Sequence, residues 1–163
     1  HGGYGVGERV GPSPMAQLAT PAPQGCIFCA IAAGQAQAHM VHEDADVVAF
    51  LHLHPVTAGH LLVVPRQHAA GLEDLDEAVG AHVWSVGRAL ARALRRSRLG
   101  CEGINLLVCD GEAALQTVFH FHLHVIPRYT PGEWALPPDP PQADAALLES
   151  HAQAIVDALA ASS

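Results

Sequence analysis

The sequence has 163 residues, half of them apolar, which suits a single domain with a substantial hydrophobic core. Its formal net charge is −8, and all eight basic residues are arginine, so it lacks the basic face that binding to a nucleic acid polymer requires. No apolar run approaches the ~20 residues of a membrane span. The N-terminus also lacks the apolar core of a secretory signal, so we expect a cytoplasmic protein that does not bind membranes.

Residues 1–25 are rich in glycine and proline and are predicted to form a tail. Met15 is the expected native start, with residues 1–14 derived from expression. Residues 26–163 are expected to form one domain.

The chain then alternates short apolar runs, which predict strands, with longer segments that predict helices. Five runs predict strands: residues 40–43, 47–51, 61–64, 104–109 and 118–126. The first two are expected to pair as a hairpin that turns at residues 43–46. Three segments predict helices: residues 26–33, ended by Gly34, residues 74–98, with a capping box at Asp74 and Glu77, and residues 143–159. We therefore expect an α+β domain with an antiparallel sheet and the helices packed on one face.

Three histidines alternate with apolar residues at His120, His122 and His124. In a strand, successive side chains point to opposite faces, so the three imidazoles would share one face. Three such residues pack poorly in a core, and imidazole is suited to nucleophilic, acid–base or metal chemistry near neutral pH. A purely structural role and a catalytic three-histidine metal site remain as alternatives.

Cys26 and Cys29 form a Cys-x-x-Cys pair. In a reducing compartment this spacing favours metal or redox chemistry over a structural disulfide. Four further histidines are interpreted as surface or helix-face residues without a role: His39, His42, His82 and His151.

These residues resemble the histidine-triad (HIT) family of nucleotide hydrolases and transferases, in particular its Hint-like, zinc-containing bacterial branch. The resemblance spans roughly residues 26–130. Its motifs, in order, are Cys26-Ile27-Phe28-Cys29-Ala30-Ile31, Ala49-Phe50-Leu51, residues 55–68, Gly103-Ile104-Asn105, Gln116-Thr117-Val118 and His120-Phe121-His122-Leu123-His124. It implies a HIT-like fold with about five antiparallel strands, a long central helix, and short N- and C-terminal helices.

The resemblance also implies a mechanism. His122 would attack the α-phosphorus of a nucleotide to form a covalent nucleotidyl-histidine, which water then hydrolyses. His124 and His60 would face the phosphate oxygens. Gln116 and Thr117 match positions on the leaving-group side.

The nucleotide itself, expected to be a purine nucleotide or conjugate, would be held by a further set of residues. By resemblance these are Ile27, Phe28, Ile31, Phe50 and Leu53 around the base, with His52, Asn105 and Cys109 nearby.

Three positions depart from the family pattern. His52 replaces an Asp that binds ribose hydroxyls, Cys109 replaces an Asn, and Leu115 replaces a Gly before the glutamine. A neutral imidazole cannot offer the paired acceptors of a carboxylate, and a thiol is a weak hydrogen-bonding group. We therefore expect weaker AMP binding than in an ordinary member of the family.

The resemblance supplies a full ligand set for structural zinc: Cys26, Cys29, His68 and His120. Four protein ligands would close the coordination shell and leave no catalytic position. The alternative is a pair of reduced core cysteines.

The leading hypothesis is a hydrolase of nucleoside monophosphates with a substituted phosphate. Two alternatives stay open: a dinucleoside polyphosphate hydrolase, and a nucleotide-sensing or scaffold protein with vestigial activity. The resemblance further implies a homodimer, assembled through the helix at residues 74–98 and the strand at residues 104–109.

Overall fold

The computed structural model describes residues 23–132 and 140–162. The chain divides into two compact units, with the boundary between residues 131 and 132. Most of the predicted tail lies outside the described residues. No helix in the described ranges is long and apolar enough to span a membrane.

The first unit contains a five-stranded antiparallel sheet in the order β1-β2-β3-β5-β4. Its strands are β1 (Met40–Glu43), β2 (Val47–Leu51), β3 (Leu61–Pro65), β4 (Gly103–Leu107) and β5 (Leu123–Arg128). The predicted hairpin of β1 and β2 is confirmed.

Two helices belong to this unit. Helix α1 spans Ile27–Ala32 and is capped by Cys26, whose sulfur accepts a hydrogen bond from the backbone N–H of Cys29. Gly34 ends it with a φ of 74°, the left-handed conformation that glycine adopts without steric cost. Helix α2 spans Glu77–Arg96.

The sheet is covered on both faces, so the expectation that the helices share one face is wrong. Val47, Ala49 and Val63 are buried in one cluster with Val83 and Val86 of α2. The alternate strand residues are buried in a second cluster with α1: Val48, Phe50, Leu62 and Val64, against Phe28 and Ile31. The side-chain alternation of β2 and β3 therefore divides two cores, and both strands read as continuous apolar runs.

The N-cap of helix α2 lies two residues later than its predicted position at Asp74. Asp76 is the N-cap, and its carboxylate accepts from the backbone N–H of Val79 at 3.0 Å. The Asp74 carboxylate instead accepts from the N–H groups of Ala70 and Gly71 in the preceding turn.

Strand β5 is shorter at its start than predicted, because it begins at Leu123 rather than at residue 118. His120 and His122 therefore precede the strand, and only His124 lies in it. The backbone N–H of Phe121 bonds to the carbonyl of Ala69 at 2.6 Å, outside the strand ladder.

In the second unit, helix α3 spans Ala145–Ser162. The helix predicted at residues 143–159 is therefore confirmed, with both ends shifted by two or three residues.

Candidate active site and metal cluster

The side chains of residues 120–125 alternate in direction, even though strand β5 begins only at Leu123. Phe121, Leu123 and Val125 are buried in the cluster beneath α2. His120 and His122 turn the other way, and their rings lie edge-on to Phe28 of α1 with centroids 5.9 and 5.2 Å away. The predicted division of the run into an apolar face and a histidine face is therefore correct.

His122 is buried, with 7% of its surface exposed, and its tautomer follows from one contact. Nδ1 lies 2.7 Å from the carbonyl oxygen of His120, so Nδ1 carries the proton and donates it. The lone pair is then on Nε2. Burial lowers the pKa of His122 below its usual value, although the bond to the His120 carbonyl opposes this shift. The ring is therefore neutral and nucleophilic at neutral pH.

His60 and His124 form a directed hydrogen-bond chain beside it. The backbone N–H of Val56 donates to His60 Nδ1 at 3.1 Å, which puts the proton of His60 on Nε2. That Nε2 lies 2.9 Å from His124 Nδ1. The bond from His60 leaves His124 protonated on Nε2, so its outer nitrogen is a donor.

Burial is the main cause that lowers the pKa of both His60 and His124 to about 4. Neighbouring imidazoles lower both values further, and Arg128 adds to the effect on His60. The chain is therefore uncharged near neutral pH and acts through hydrogen bonds. The ring of His124 is 4.9 Å from the ring of His122, which places its donor beside the nucleophile.

His52 adds a fourth imidazole to this group. Its ring centroid is 4.7 Å from that of His60 and 6.3 Å from that of His124, nearly parallel to the latter. Its Nδ1 accepts the backbone N–H of His54 at 2.9 Å, so its proton is on Nε2. We call His52, His60, His122 and His124 the imidazole cluster.

A second cluster lies on the other side of His120. The sulfurs of Cys26 and Cys29 and the Nδ1 atoms of His68 and His120 all lie within 4.8 Å of one another. The sulfur-to-nitrogen distances given by hydrogen-bond contacts are 3.3–3.4 Å, and the two Nδ1 atoms are 3.2 Å apart. Tetrahedral zinc with ordinary bond lengths would separate such ligands by about 3.3–3.6 Å.

The protonation of this cluster also fits a cation. His120 Nε2 donates to the carbonyl of Pro65 at 2.7 Å, which leaves its Nδ1 lone pair facing the sulfurs. Burial and the neighbouring Cys26 raise the pKa of the Cys29 thiol to about 12. A bound cation is what would hold both sulfurs as thiolates. The four residues therefore fit a closed metal site.

The comparisons with known proteins bear on both clusters. The HIT domain family matches this chain over residues 33–131. The chain belongs to the HIT family. An uncharacterized HIT-like protein of Mycobacterium tuberculosis is 43% identical over 102 residues, which cover 63% of this chain and 70% of that protein.

Solved structures of HIT proteins share the fold. A zinc-bound histidine triad family protein from Mycobacterium smegmatis is 39% identical, with a TM-score of 0.66 over 83% of this chain and 97% of that one. A histidine triad nucleotide-binding protein from Candida albicans is 26% identical, with a TM-score of 0.75 over 85% and 99% of the two chains.

The predicted base-binding residues of this HIT domain fall into two groups. Phe28, Ile31 and Phe50 are buried in the cluster beneath α1. Ile27 and Leu53 are exposed, at 49% and 73%. Ile31 and Leu53 line a cleft of about 700 Å³ together with residues 34–40, which connect α1 to β1.

The remaining predicted residues have contacts elsewhere in the HIT domain. The Gln116 side chain accepts from the N–H of Gly111 and donates to the carbonyls of Ala70 and Val118. Asn105 accepts from Arg128 Nε at 2.8 Å. Within the described ranges, these contacts fill the Gln116 amide and do not connect it to the imidazole cluster.

Thr117 and Cys109 have fewer contacts. Thr117 is exposed and lines a cleft of about 370 Å³ beside His68 and Cys26. Cys109 is a half-buried free thiol.

Two histidines interpreted as surface residues without a role are in fact structural. The Nε2 atoms of His42 and His82 each lie 2.7 Å from Oδ2 of Asp44. Asp44 also accepts from the backbone N–H groups of Asp46 and Val47. The only sequence signal was an aspartate at the hairpin turn, which indicated the turn but not its bond to α2.

Proposed function

We propose that this protein is a nucleotidyl hydrolase that acts on nucleoside monophosphates with a substituted phosphate. The observation that carries the proposal is the bond from His122 Nδ1 to the His120 carbonyl, which leaves a neutral ring with its lone pair on Nε2. A nucleophile held in this tautomer by the backbone loses little freedom when it attacks.

In the first step, the lone pair of His122 Nε2 forms a bond to the α-phosphorus, and the bond to the substituent breaks. The leaving group departs with the bonding electron pair and takes up a proton from solvent. In the second step, water attacks the phosphorus and breaks its bond to Nε2. This step releases the nucleoside monophosphate and restores the lone pair of His122, and the proton lost by water passes to solvent.

His124 and His60 support both steps as donors. The bond from Val56 to His60, and from His60 to His124, holds the His124 proton on Nε2. We propose that this N–H donates to an oxygen of the phosphoryl group. A fixed donor stabilises the charge that develops in the transition state without reorganisation.

The nucleotide would lie along the apolar residues of α1 and β2. Phe28 supports the His122 ring edge-on at an interplanar angle of 84°. We propose that Ile27, Ile31, Phe50 and Leu53 hold the base, with Asn105 and Cys109 nearby. Gln116 would position the loop before His120 through its three backbone bonds, and Thr117 would face the leaving group.

Cys26, Cys29, His68 and His120 would hold a structural zinc ion. When bound, zinc would act as a closed cross-link and would take no part in the reaction. His120 joins α1 to His122 through two contacts. Its ring contacts the sulfur of Cys29, and its backbone carbonyl accepts the hydrogen bond from His122 Nδ1. Removing the metal is expected to lower stability, with melting temperature in a strong chelator as the readout. Purified protein without stoichiometric zinc, and with unchanged stability in chelator, would contradict this role.

We further propose a homodimer formed through β4 and α2. β4 is an edge strand of the sheet, and edge strands pair readily with a second copy. Trp84 on α2 is 56% exposed, and Leu107 on β4 is 36% exposed. Light scattering after size-exclusion chromatography tests this, and a monomer mass at all concentrations would refute it.

The decisive experiment is a substrate panel with wild type and His122→Ala. Adenosine phosphoramidate and diadenosine polyphosphates separate the leading activity from the alternative dinucleotide hydrolase. His122→Ala should lose at least about 10³-fold in activity, as loss of a nucleophile does. His151→Ala, in the second unit, is the matched control and should keep wild-type activity. Full activity of His122→Ala would refute the covalent mechanism.

A further inference from the structure

We propose that His52, with its neighbours in the imidazole cluster, forms a subsite for a second phosphoryl group of the substrate. This inference rests on the proposed function, since it concerns the same substrate. The second phosphoryl group can come from two sources: a phosphate on the ribose, or the next phosphate of a polyphosphate chain.

The first support is the polarity of His52. Because its Nδ1 accepts the N–H of His54, its free nitrogen, Nε2, is a donor only. No described residue accepts a hydrogen bond from that nitrogen. A donor of fixed direction that no described residue occupies is open to an acceptor on a ligand. A carboxylate at this position would instead accept from hydroxyl groups and repel an anion.

The second support is the position of His52 within the imidazole cluster. The described ring neighbours of the nucleophile His122 are Phe28 and His124. His52 lies one ring further out, against His60 and His124. His124 is therefore placed to serve the reacting phosphoryl group, and His52 to serve a group attached to it.

The third support is the local charge. The groups that act on the pKa values of His52, His60 and His124 are Arg128, a permanent cation, and other histidines, which are neutral hydrogen-bonding groups near pH 7. Within the described part of the chain, none of these groups is a carboxylate. This is notable in a protein with 16 acidic residues and a formal net charge of −8. Such a region of donors favours a ligand with more than one negative group.

Calorimetry with three ligands tests the subsite: AMP, adenosine 3′,5′-bisphosphate and ADP. The wild type should bind one of the two doubly phosphorylated ligands at least about tenfold more tightly than AMP, the effect of one hydrogen bond to a charged group. Preference for the bisphosphate identifies a ribose phosphate, and preference for ADP identifies a polyphosphate chain. Binding of all three within about twofold overturns the proposal.

Variants at position 52 test the donor itself. His52→Asp and His52→Ala should each lose the preference, whereas His52→Gln, which retains an N–H donor, should keep most of it. His151→Asp makes the same change of charge in the second unit and should keep all of it. A preference that survives both His52→Asp and His52→Ala overturns the proposal. Two variants are used so that the test still holds when one of them fails to fold.

Turnover of adenosine phosphoramidate, measured in parallel, separates this inference from the proposed function. Turnover that depends on His122, without any preference for a second phosphate, refutes the subsite alone. A preference that depends on His52, without any turnover, refutes the hydrolase and supports the subsite.

Discussion

At the scale of single residues, Leu115 has a strained backbone conformation, at a position where the family pattern has glycine. It is the non-glycine residue with positive φ in the described ranges, at 69°, and it lies in the loop before Gln116. A left-handed backbone costs an L residue roughly 1–2 kcal/mol. The side chain is 81% exposed, so little packing compensates for that cost.

Leu115→Gly should therefore stabilise the protein. Relief of the strain exceeds the ~0.4–1 kcal/mol that a glycine adds to the entropy of the unfolded chain. The net gain should be about 0.5–1 kcal/mol in the free energy of unfolding, measured in urea. Leu115→Ala keeps the backbone cost and is the control. A destabilised Leu115→Gly would show that the leucine side chain makes contacts that outweigh its strain.

At the scale of elements, Asp44 connects the β1–β2 hairpin to α2. Its carboxylate bonds to His42 of β1 and to His82 of α2, and it also closes the turn through the N–H groups of Asp46 and Val47. Burial acts to raise the pKa of Asp44. The hydrogen bonds from His42, Asp46, His82 and Val47 outweigh it and lower the pKa well below its usual range.

Asp44→Asn should destabilise the protein by about 1–2 kcal/mol, because hydrogen bonds to a charged acceptor are replaced by weaker ones. Chemical denaturation measures the change. Asp46→Asn removes a neighbouring carboxylate and should change stability by less than about 0.5 kcal/mol. Equal effects of the two substitutions would show that charge alone, rather than the bonds to His42 and His82, stabilises the turn.

At the scale of the whole molecule, the imidazole cluster makes stability depend on pH. His60 and His124 have pKa values of about 4 in the fold, whereas an unfolded histidine has a pKa of 6.5. Between these values the unfolded chain binds more protons than the folded chain, so acid favours unfolding. This contribution is constant above pH 6.5.

The free energy of unfolding should therefore fall as the pH is lowered from about 6.5 towards 4, by up to about 5 kcal/mol when both groups titrate independently. Urea midpoints at several pH values measure the fall. His60→Gln removes one of the two groups and should make the slope shallower. A stability that is flat from pH 7 to 4.5 in the wild type would contradict the low pKa values.

Much of the fold follows from the sequence alone. Apolar alternation and turn residues are local properties, so they correctly predicted the β1–β2 hairpin, the end of α1 at Gly34, and the division of the histidine run into two faces. The motifs also brought Cys26, Cys29, His68 and His120 into one predicted ligand set, and the structure places those four side chains together. Local patterns do not report which sheet face a helix covers, so the expectation that the helices share one face was wrong.

The chemistry of the histidines was decided only by the tertiary structure. A tautomer depends on the hydrogen-bond partner of each nitrogen. Some partners are neighbours in the chain, as for His52 and His122, and others are distant. His120 donates to Pro65, 55 positions away, and His60 meets His124, 64 positions away, because β3 pairs with β5. The sequence alone determined that imidazoles would gather on one face of the sheet. The local backbone decided that His122 keeps its lone pair on Nε2, whereas the pairing of distant strands decided that His124 is a donor and that His52 joins the cluster.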